Sequence, residues 1–395
     1  MKKHKHILIY VSLTLLLAGG CSSKYRLDRD EISRPAAWPY HHGDLASTGA
    51  VPDGRFSGKL DILWEFKSND KPAGPLVIYN DRIVYPGTRH KIKFVDLMTG
   101  SKAGQFKSKG EAQTGLVMLD SLGYFAVGPR RSRLKCANFV TGKIMWQRPV
   151  KDAAEGSILV DNRLYVSSTE GVLMALDPYS GDLLWRFSAS GLLKAPASFG
   201  AEKIFQPFDD GLLYALTPEG KELFHVELDA PLVSPVSIAD LVYCADVAGN
   251  LYGIDPEDGR IRWRDHIDGP VWASVTVADG RLFVGHTGGE LVALEAATGK
   301  TLWRYDADEA IVASAVVAGQ YVVFGTMGGK VFSLRTADGT LVQERQLSGA
   351  VATTPITDGD RVFVATDKGI VTCFGETDDQ LMQTTQRINP ERQSE

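Results

Sequence analysis

The sequence predicts an all-β fold, an eight-bladed β-propeller of four-stranded antiparallel blades. Three observations lead there. A short turn recurs, closed by Gly100, Gly142, Gly181, Gly220, Gly259, Gly299 and Gly339, at intervals of 42, 39, 39, 39, 40 and 40 residues. A period near 40 with strand-like content is the size of one propeller blade. A large ring follows several of these glycines four residues later, as Trp146, Trp185, Trp263 and Trp303. With Trp64, in the similar context Ile62-Leu-Trp64-Glu-Phe66, five of the seven tryptophans share one position. Finally, each period divides into short apolar and β-branched runs separated by Gly, Asn and Asp turns, the signature of successive hairpins.

The third period illustrates the division: Ser157–Val160, the turn Asp161-Asn162, Arg163–Ser167, a turn at Gly171, Val172–Leu176, the Asp177–Gly181 turn, then Leu183–Phe187. Later periods repeat it, as in Leu282–Gly285 with Leu291–Leu294. After the seventh turn, residues 353–374 supply three more strands and stop, whereas the Trp64 strand has no three strands before it. Pairing the Trp64 strand with the Cys373 strand completes an eighth blade. It also closes the ring, so that no open sheet edge is left between the chain ends.

The turn motif has a physical reading. The glycine supplies the positive φ of a tight hairpin. The acid or amide four residues earlier (Asp96, Asn138, Asp177, Asp255, Glu295) can accept turn N–H groups if short. A small residue six before the glycine (Cys136, Ala175, Gly253, Ala293) leaves room for a ring. The Trp offers a flat face to the next blade and an N–H in search of an acceptor. The first, fourth and seventh units depart from the pattern, with Gly104, Phe224 and Gln343 where Trp is expected, and weaker docking is expected there.

Composition fits a globular chain: 395 residues, 44% apolar and 23% charged, with a formal net charge of −5. That balance argues against a dedicated nucleic-acid binder, which is usually basic. Residues 1–20 read as a signal segment. Lys2, Lys3 and Lys5 precede an apolar run over Ile7–Ala18 that is too short to span a bilayer as a helix. The following Ala18-Gly-Gly-Cys21 resembles a bacterial lipobox, which implies lipidation of Cys21, and Ser22 after it implies the outer membrane. Residues 21–55 are expected to form a lipid-anchored tether and cap, 56–376 the propeller, and 377–395 a disordered polar tail. Cys136, Cys244 and Cys373 fall in blades 2, 5 and 8. None of these blades adjoins another, so free buried thiols are expected, since bridged Cα atoms lie within about 7 Å.

The unit Ala-x-Asp-x-x-Thr-Gly-Lys-x-x-Trp resembles the pyrroloquinoline-quinone (PQQ) repeat of eight-bladed propellers, over roughly residues 56–376. It looks most like the lipid-anchored outer-membrane members, among them the BamB-type assembly factors. The lead-in Trp38-Pro-Tyr-His-His-Gly-Asp44 with Thr48-Gly49 is similar instead to a segment that precedes many other PQQ-repeat propellers. The resemblance implies a scaffold for protein partners of outer-membrane β-barrel assembly, facing the periplasm. The PQQ-dependent dehydrogenases share the repeat, but their vicinal disulfide has no counterpart, since no two cysteines here are adjacent.

No catalytic, cofactor or metal site emerges from the residues. The inner strands begin with small residues such as Gly74-Pro75, Ser234-Pro235 and Ala273-Ser274 and carry no acid–base pair. His41-His42 is a two-residue metal signal, too few ligands for a closed site. Trp272, outside the motif, is either a rim aromatic or a floor for a cofactor.

The distinctive surface signal is charge. Loops between the second and third strands share a face with the blade-to-blade connections. On that face blade 1 places Arg89, His90, Lys91 and Lys93, blade 2 places Arg130, Arg131, Arg133 and Lys135, and their connection adds Lys107 and Lys109. Blades 5 to 7 contribute Asp229, Asp268, Asp306, Asp308 and Glu309. A basic sector opposite an acidic one can orient a docking partner. The residues Arg89, His90, Lys91, Arg130, Arg131 and Arg133 are therefore the expected partner-binding set. The alternatives are a propeller that senses or binds an envelope polymer or carbohydrate, and a PQQ-dependent dehydrogenase.

Overall fold

The computed structural model describes residues 38–112, 115–128, 132–150 and 153–376. Cys21, Arg130, Arg131 and the tail from residue 377 lie outside the described residues. Eight sheets form in sequence order, each running from an inner to an outer strand. The eighth closes as expected: Asp61–Lys67 runs antiparallel to Ile370–Gly375, with Trp64 opposite Cys373. Most inner strands are short, for example Thr276–Ala278, because eight of them crowd one axis, and Ala153–Val160 of blade 3 is the long exception.

Burial follows position in the blade. The second and third strands are covered on both faces by neighbouring blades, so runs such as Val322–Gly325 and Val362–Ala365 are buried throughout. Continuous apolar sequence is what two covered faces require. Outer strands alternate: Leu183–Ser188 exposes every second residue along most of its length. The apolar clusters consequently lie between blades. One joins blades 7, 8 and 1 through Val323, Phe363 and Ile83, and it includes Trp38, Phe56 and Leu60 from before the first blade.

The recurring turn locks each blade to the one before it. Its glycines sit at φ between 65° and 84°, and the outer hairpin carries a register shift beside the turn in every blade. Such a bulge re-aims the strand that follows. The ring then rests on the turn glycine of the next blade. A Cβ at Gly299 would stand 2.4 Å from the Trp263 ring, and one at Gly181 2.7 Å from Trp146. Gly100, Gly220 and Gly339 meet Trp64, Trp185 and Trp303 in the same way. Each Trp Nε1 also donates to a carbonyl in that next turn, as Trp146 does to Pro178 O at 2.8 Å and Trp263 to Ala296 O at 2.9 Å. The glycine therefore has two duties, a left-handed backbone and an empty face for a neighbour's ring. Asp96, Asp177 and Asp255 accept turn N–H groups as anticipated.

The three departures from the motif are filled differently. Phe224 takes the Trp place against Gly259. Between blades 1 and 2 a phenylalanine group substitutes, with the Phe139 ring 5.2 Å from both Phe94 and Phe106. Between blades 7 and 8, Gln343 Oε1 accepts Leu60 N–H at 2.8 Å, and Arg345 donates to Leu60 O at 2.9 Å and Asp61 at 3.0 Å.

Candidate partner-binding face and central channel

The lead-in is part of the propeller from Trp38 onward, and it crosses the end of the channel on the turn face. Inner-strand N–H groups of Ile78, Phe199, Ile238, Val277 and Val317 donate to carbonyls of Trp38, Leu45, Ala46, Thr48 and Gly49, at 2.8 to 3.0 Å. Tyr40 Oη donates to Leu159 O. Ala50–Val51 then pairs in parallel with Val317–Ala318, giving blade 7 a fifth, innermost strand. The donors come from blades 1, 4, 5, 6 and 7, so the segment threads across the ring rather than hanging from it.

His42 is the centre of this crossing. It is fully buried, and its Nδ1–H donates to Ser47 O at 2.7 Å. Nε2 lies 3.4 Å from Thr276 Oγ1. Gly49 packs on the ring so closely that a Cβ there would come within 2.2 Å of Nε2. Burial holds the His42 pKa below the usual histidine value. Burial and the adjacent His42 push His41 down to about 4. Both rings are thus neutral at pH 7. They are the structural centre of the plug, and no group of three metal-ligating side chains occurs among the described residues.

Above the plug the channel opens on the connection face as a cavity of 230 Å³. Most of its described wall is small and neutral, and Ser234, Ser274, Ser314, Thr353 and Thr354 lie along it with His41. Trp272 and Lys194 line it too, and both also line a wider, mostly apolar groove of 740 Å³. Deeper in, hydroxyls bridge neighbouring inner strands: Ser198 Oγ donates to Val236 O at 2.6 Å and Thr276 Oγ1 to Ala315 O at 2.8 Å.

On the same face the basic loops divide into exposed and consumed charges. Arg89, His90, Lys107, Lys109 and Arg133 are exposed, and Lys91 faces Lys107 across its hairpin. Lys93 and Lys135, read from the sequence as surface charges, instead point inward. Lys93 Nζ lies 3.7 Å from Asp70, which is 3% exposed. Lys135 Nζ donates to Ser108 O at 2.8 Å and Lys109 O at 3.2 Å, and burial lowers its pKa. Each holds a blade-to-blade connection in place: Lys135 reaches two carbonyls, and Lys93 sets a cation beside Asp70, whose Oδ1 accepts the Arg89 N–H at 2.8 Å.

Ring closure adds charges that the linear sequence hides. Arg89 lines a notch of 340 Å³ with Lys71 and Lys368, beside Asp367. Lys368 belongs to blade 8, and only the closed ring brings it to blade 1. The loop at Asp367-Lys368-Gly369 is an ordinary strand-two-to-strand-three turn, so its register was readable although its neighbour was not.

The acidic sector is weaker than expected. Asp229 pairs with Arg264 at 3.0 Å, and Glu309 accepts from Thr326 Oγ1 and lies 3.8 Å from Lys330. Third and outer strands supply these cations directly beneath the acids, which neutralises part of the field. Cys136, Cys244 and Cys373 are buried free thiols, and burial raises their pKa values.

A family model described as outer membrane protein assembly factor BamB matches residues 88–231 and 209–390. The outer membrane protein assembly factor BamB of Salmonella typhimurium is 23% identical over 180 residues, covering 42% of this chain and 45% of its own length. Quinoprotein alcohol dehydrogenase PedH of Pseudomonas putida is 35% identical over 219 residues, covering 45% of this chain and 35% of its own. The chain therefore spans less than half the length of both curated relatives. The crystal structure of BamB from Moraxella catarrhalis superposes with a TM-score of 0.71 at 18% identity, covering 80% of this chain and 100% of that one. That likeness concerns the fold, and the eight closed blades agree with it. Since the family model runs over most of the propeller, the chain belongs to the family described as outer membrane protein assembly factor BamB.

Proposed function

We propose that this protein is a non-enzymatic scaffold that binds protein partners in the cell envelope, with a BamB-like role in outer-membrane β-barrel assembly. The observation that carries the reading is the basic sector of the connection face. Lys71, Arg89 and Lys368 converge at the closure seam, and His90, Lys91, Lys107, Lys109 and Arg133 extend the sector over blades 1 and 2. The charges stand on loops held by a closed ring, which preorganises them for a partner of opposite sign. Arg130 and Arg131, neighbours of Arg133 in the chain, are proposed to belong to the same sector. Cys21 is proposed as the lipid attachment that keeps the propeller at the periplasmic side of the outer membrane.

The test is co-purification from solubilised envelopes. The triple variant Arg89→Glu, Lys91→Glu, Arg133→Glu is expected to lose the partners retained by the wild-type chain, with the melting temperature unchanged. Retention of the same partners would overturn the reading. Metabolic palmitate labelling of the wild type, lost in Cys21→Ser, tests the anchor.

A quinoprotein reading has one observation in its favour, the 35% identity to a quinoprotein alcohol dehydrogenase. An anionic quinone bound with a divalent cation needs carboxylates for the metal and several cations for the quinone. Among the described residues, the channel lining is small and mostly neutral, with Lys194 at its rim and no carboxylate. The residues present do not fit that group.

A further inference from the structure

We propose that the central channel is a binding site for one neutral, polyhydroxylated unit, a single sugar residue of a larger glycan, which enters past Trp272. Binding there would be separate from the basic sector, so one protein could hold a partner and an envelope glycan together.

The cavity is floored by the plug and open on one side, and its volume is 230 Å³. That is below the range of about 300–1,000 Å³ typical of drug-sized ligands, which limits the occupant to one small ring. Its polar side chains are hydroxyls and one imidazole, with the Lys194 amine at the rim and the Trp272 indole at the mouth. Ser234, Ser274, Ser314, Thr353 and Thr354 are each able to donate and to accept. A ligand rich in hydroxyl groups matches such a wall, because every contact can be satisfied in either sense.

Two groups at this wall lack partners. Ser274 is 2% exposed and its Oγ has no hydrogen-bond partner, although its N–H is satisfied by Ser314 Oγ at 2.9 Å. His41 Nδ1 is likewise buried and unpaired, and its ring lines the same cavity. Buried polar atoms are normally paired, so both are polar groups at this wall that the fold itself leaves unsatisfied.

The mouth adds the apolar half of the recognition. Trp272 is 54% exposed, a large aromatic surface left open to solvent. It lines the inner cavity and the outer groove together with Val233, Val312 and Ala352. A sugar ring presents a face of C–H groups to an aromatic plane and its hydroxyls to the sides. A unit stacked on Trp272 therefore has its hydroxyls toward the serines, and the 740 Å³ groove outside receives the next unit of the glycan.

Charge separates this occupant from a peptide end. Among the described residues an ammonium terminus meets no carboxylate at the cavity wall, Asp209 standing only in the outer groove, and a carboxylate terminus meets only Lys194, itself exposed at the rim.

Saturation-transfer NMR on the full chain tests the proposal, with N,N′-diacetylchitobiose and methyl glucoside as probes and N-acetylphenylalanine amide as the peptide-like control. Transfer to the C–H protons of at least one sugar is expected, with affinity reduced about tenfold by Trp272→Ala, a loss of the size one stacking contact supplies. Ser274→Ala is expected to weaken the same sugar about threefold or more, as one hydrogen bond does. Ser274→Ala is a small change at a cavity wall, so it reads binding even if the first variant perturbs the mouth. Arg89→Glu should leave sugar transfer unchanged. Absence of transfer to both sugars overturns the proposal. So does transfer undiminished in both variants, or a peptide control that displaces the sugar.

Discussion

The two faces of the disc are made by the same strands and are finished in opposite ways. On the turn face the polar backbone is used up: rings seat on glycines, indole N–H groups find carbonyls, and the lead-in accepts the inner-strand N–H groups. On the connection face the loops carry exposed charge and an exposed aromatic. Substitutions on the first face should therefore change stability, and those on the second should change binding. A repeat can thus be wholly occupied by holding the ring together, which leaves the residues outside it free for other contacts.

The largest expected effect compares two glycines of the turn face. Both sit near φ +70°, so alanine at either costs about 1–2 kcal/mol of backbone strain. A Cβ at Gly142 meets nothing within 4 Å, because blade 1 has Gly104 in place of Trp, whereas one at Gly299 collides with Trp263. Chemical denaturation should find Gly299→Ala destabilising by about 3–5 kcal/mol and Gly142→Ala by only the strain. Equal losses would show that the ring contact is not what the motif glycine serves.

Next comes the ring itself. Trp303 rests on Gly339 and donates to Thr336 O at 3.1 Å, and Trp303→Ala should cost about 3 kcal/mol. Gln343→Ala, at the corresponding place of blade 7, removes a polar clamp on Leu60 and should cost about 1 kcal/mol. A reversed order would mean that the substituted interfaces are the stronger ones.

The plug provides a dependence on pH. Burial depresses the pKa of His42, and His41 lies at about 4. The unfolded chain therefore binds protons first as the medium is acidified. Stability is complete above about pH 6.5 and falls as the pH drops toward 4, by on the order of 1–3 kcal/mol. His41→Gln and His42→Gln should flatten that slope in urea titrations at pH 7 and pH 5. An unchanged slope would place the acid sensitivity elsewhere.

The smallest effect on stability belongs to the connection face. Arg89→Glu should move the melting point little, since a surface substitution typically costs within about 0.5 kcal/mol, while reducing partner retention. Lys93→Met should do the opposite, because Lys93 lies against buried Asp70 rather than at the surface.

Much of the architecture was legible because a 40-residue period, five tryptophans and a three-strand remnant at the end leave one way to close the ring. Asp255 could be assigned to its turn, since an Asx turn is a contact between near neighbours in the chain. The direction of Lys93 and Lys135 was not legible: both sit in basic runs, and only the packed connection shows that their amines have acceptors inside. The notch at Arg89 was hidden for another reason, since Lys71 and Lys368 stand almost 300 residues apart and meet only after closure.

The repeat, its strands, its turns and the pairing that closes the disc rest on local conformation and a fixed period, so the residues alone specify them. Tertiary structure alone decided which glycine receives which ring and that the lead-in is a plug seated on His42. It also decided which cations stay in water and that Trp272 lies open at the channel mouth. Those outcomes depend on how eight blades crowd one axis, and crowding is a property of distance in space rather than along the chain.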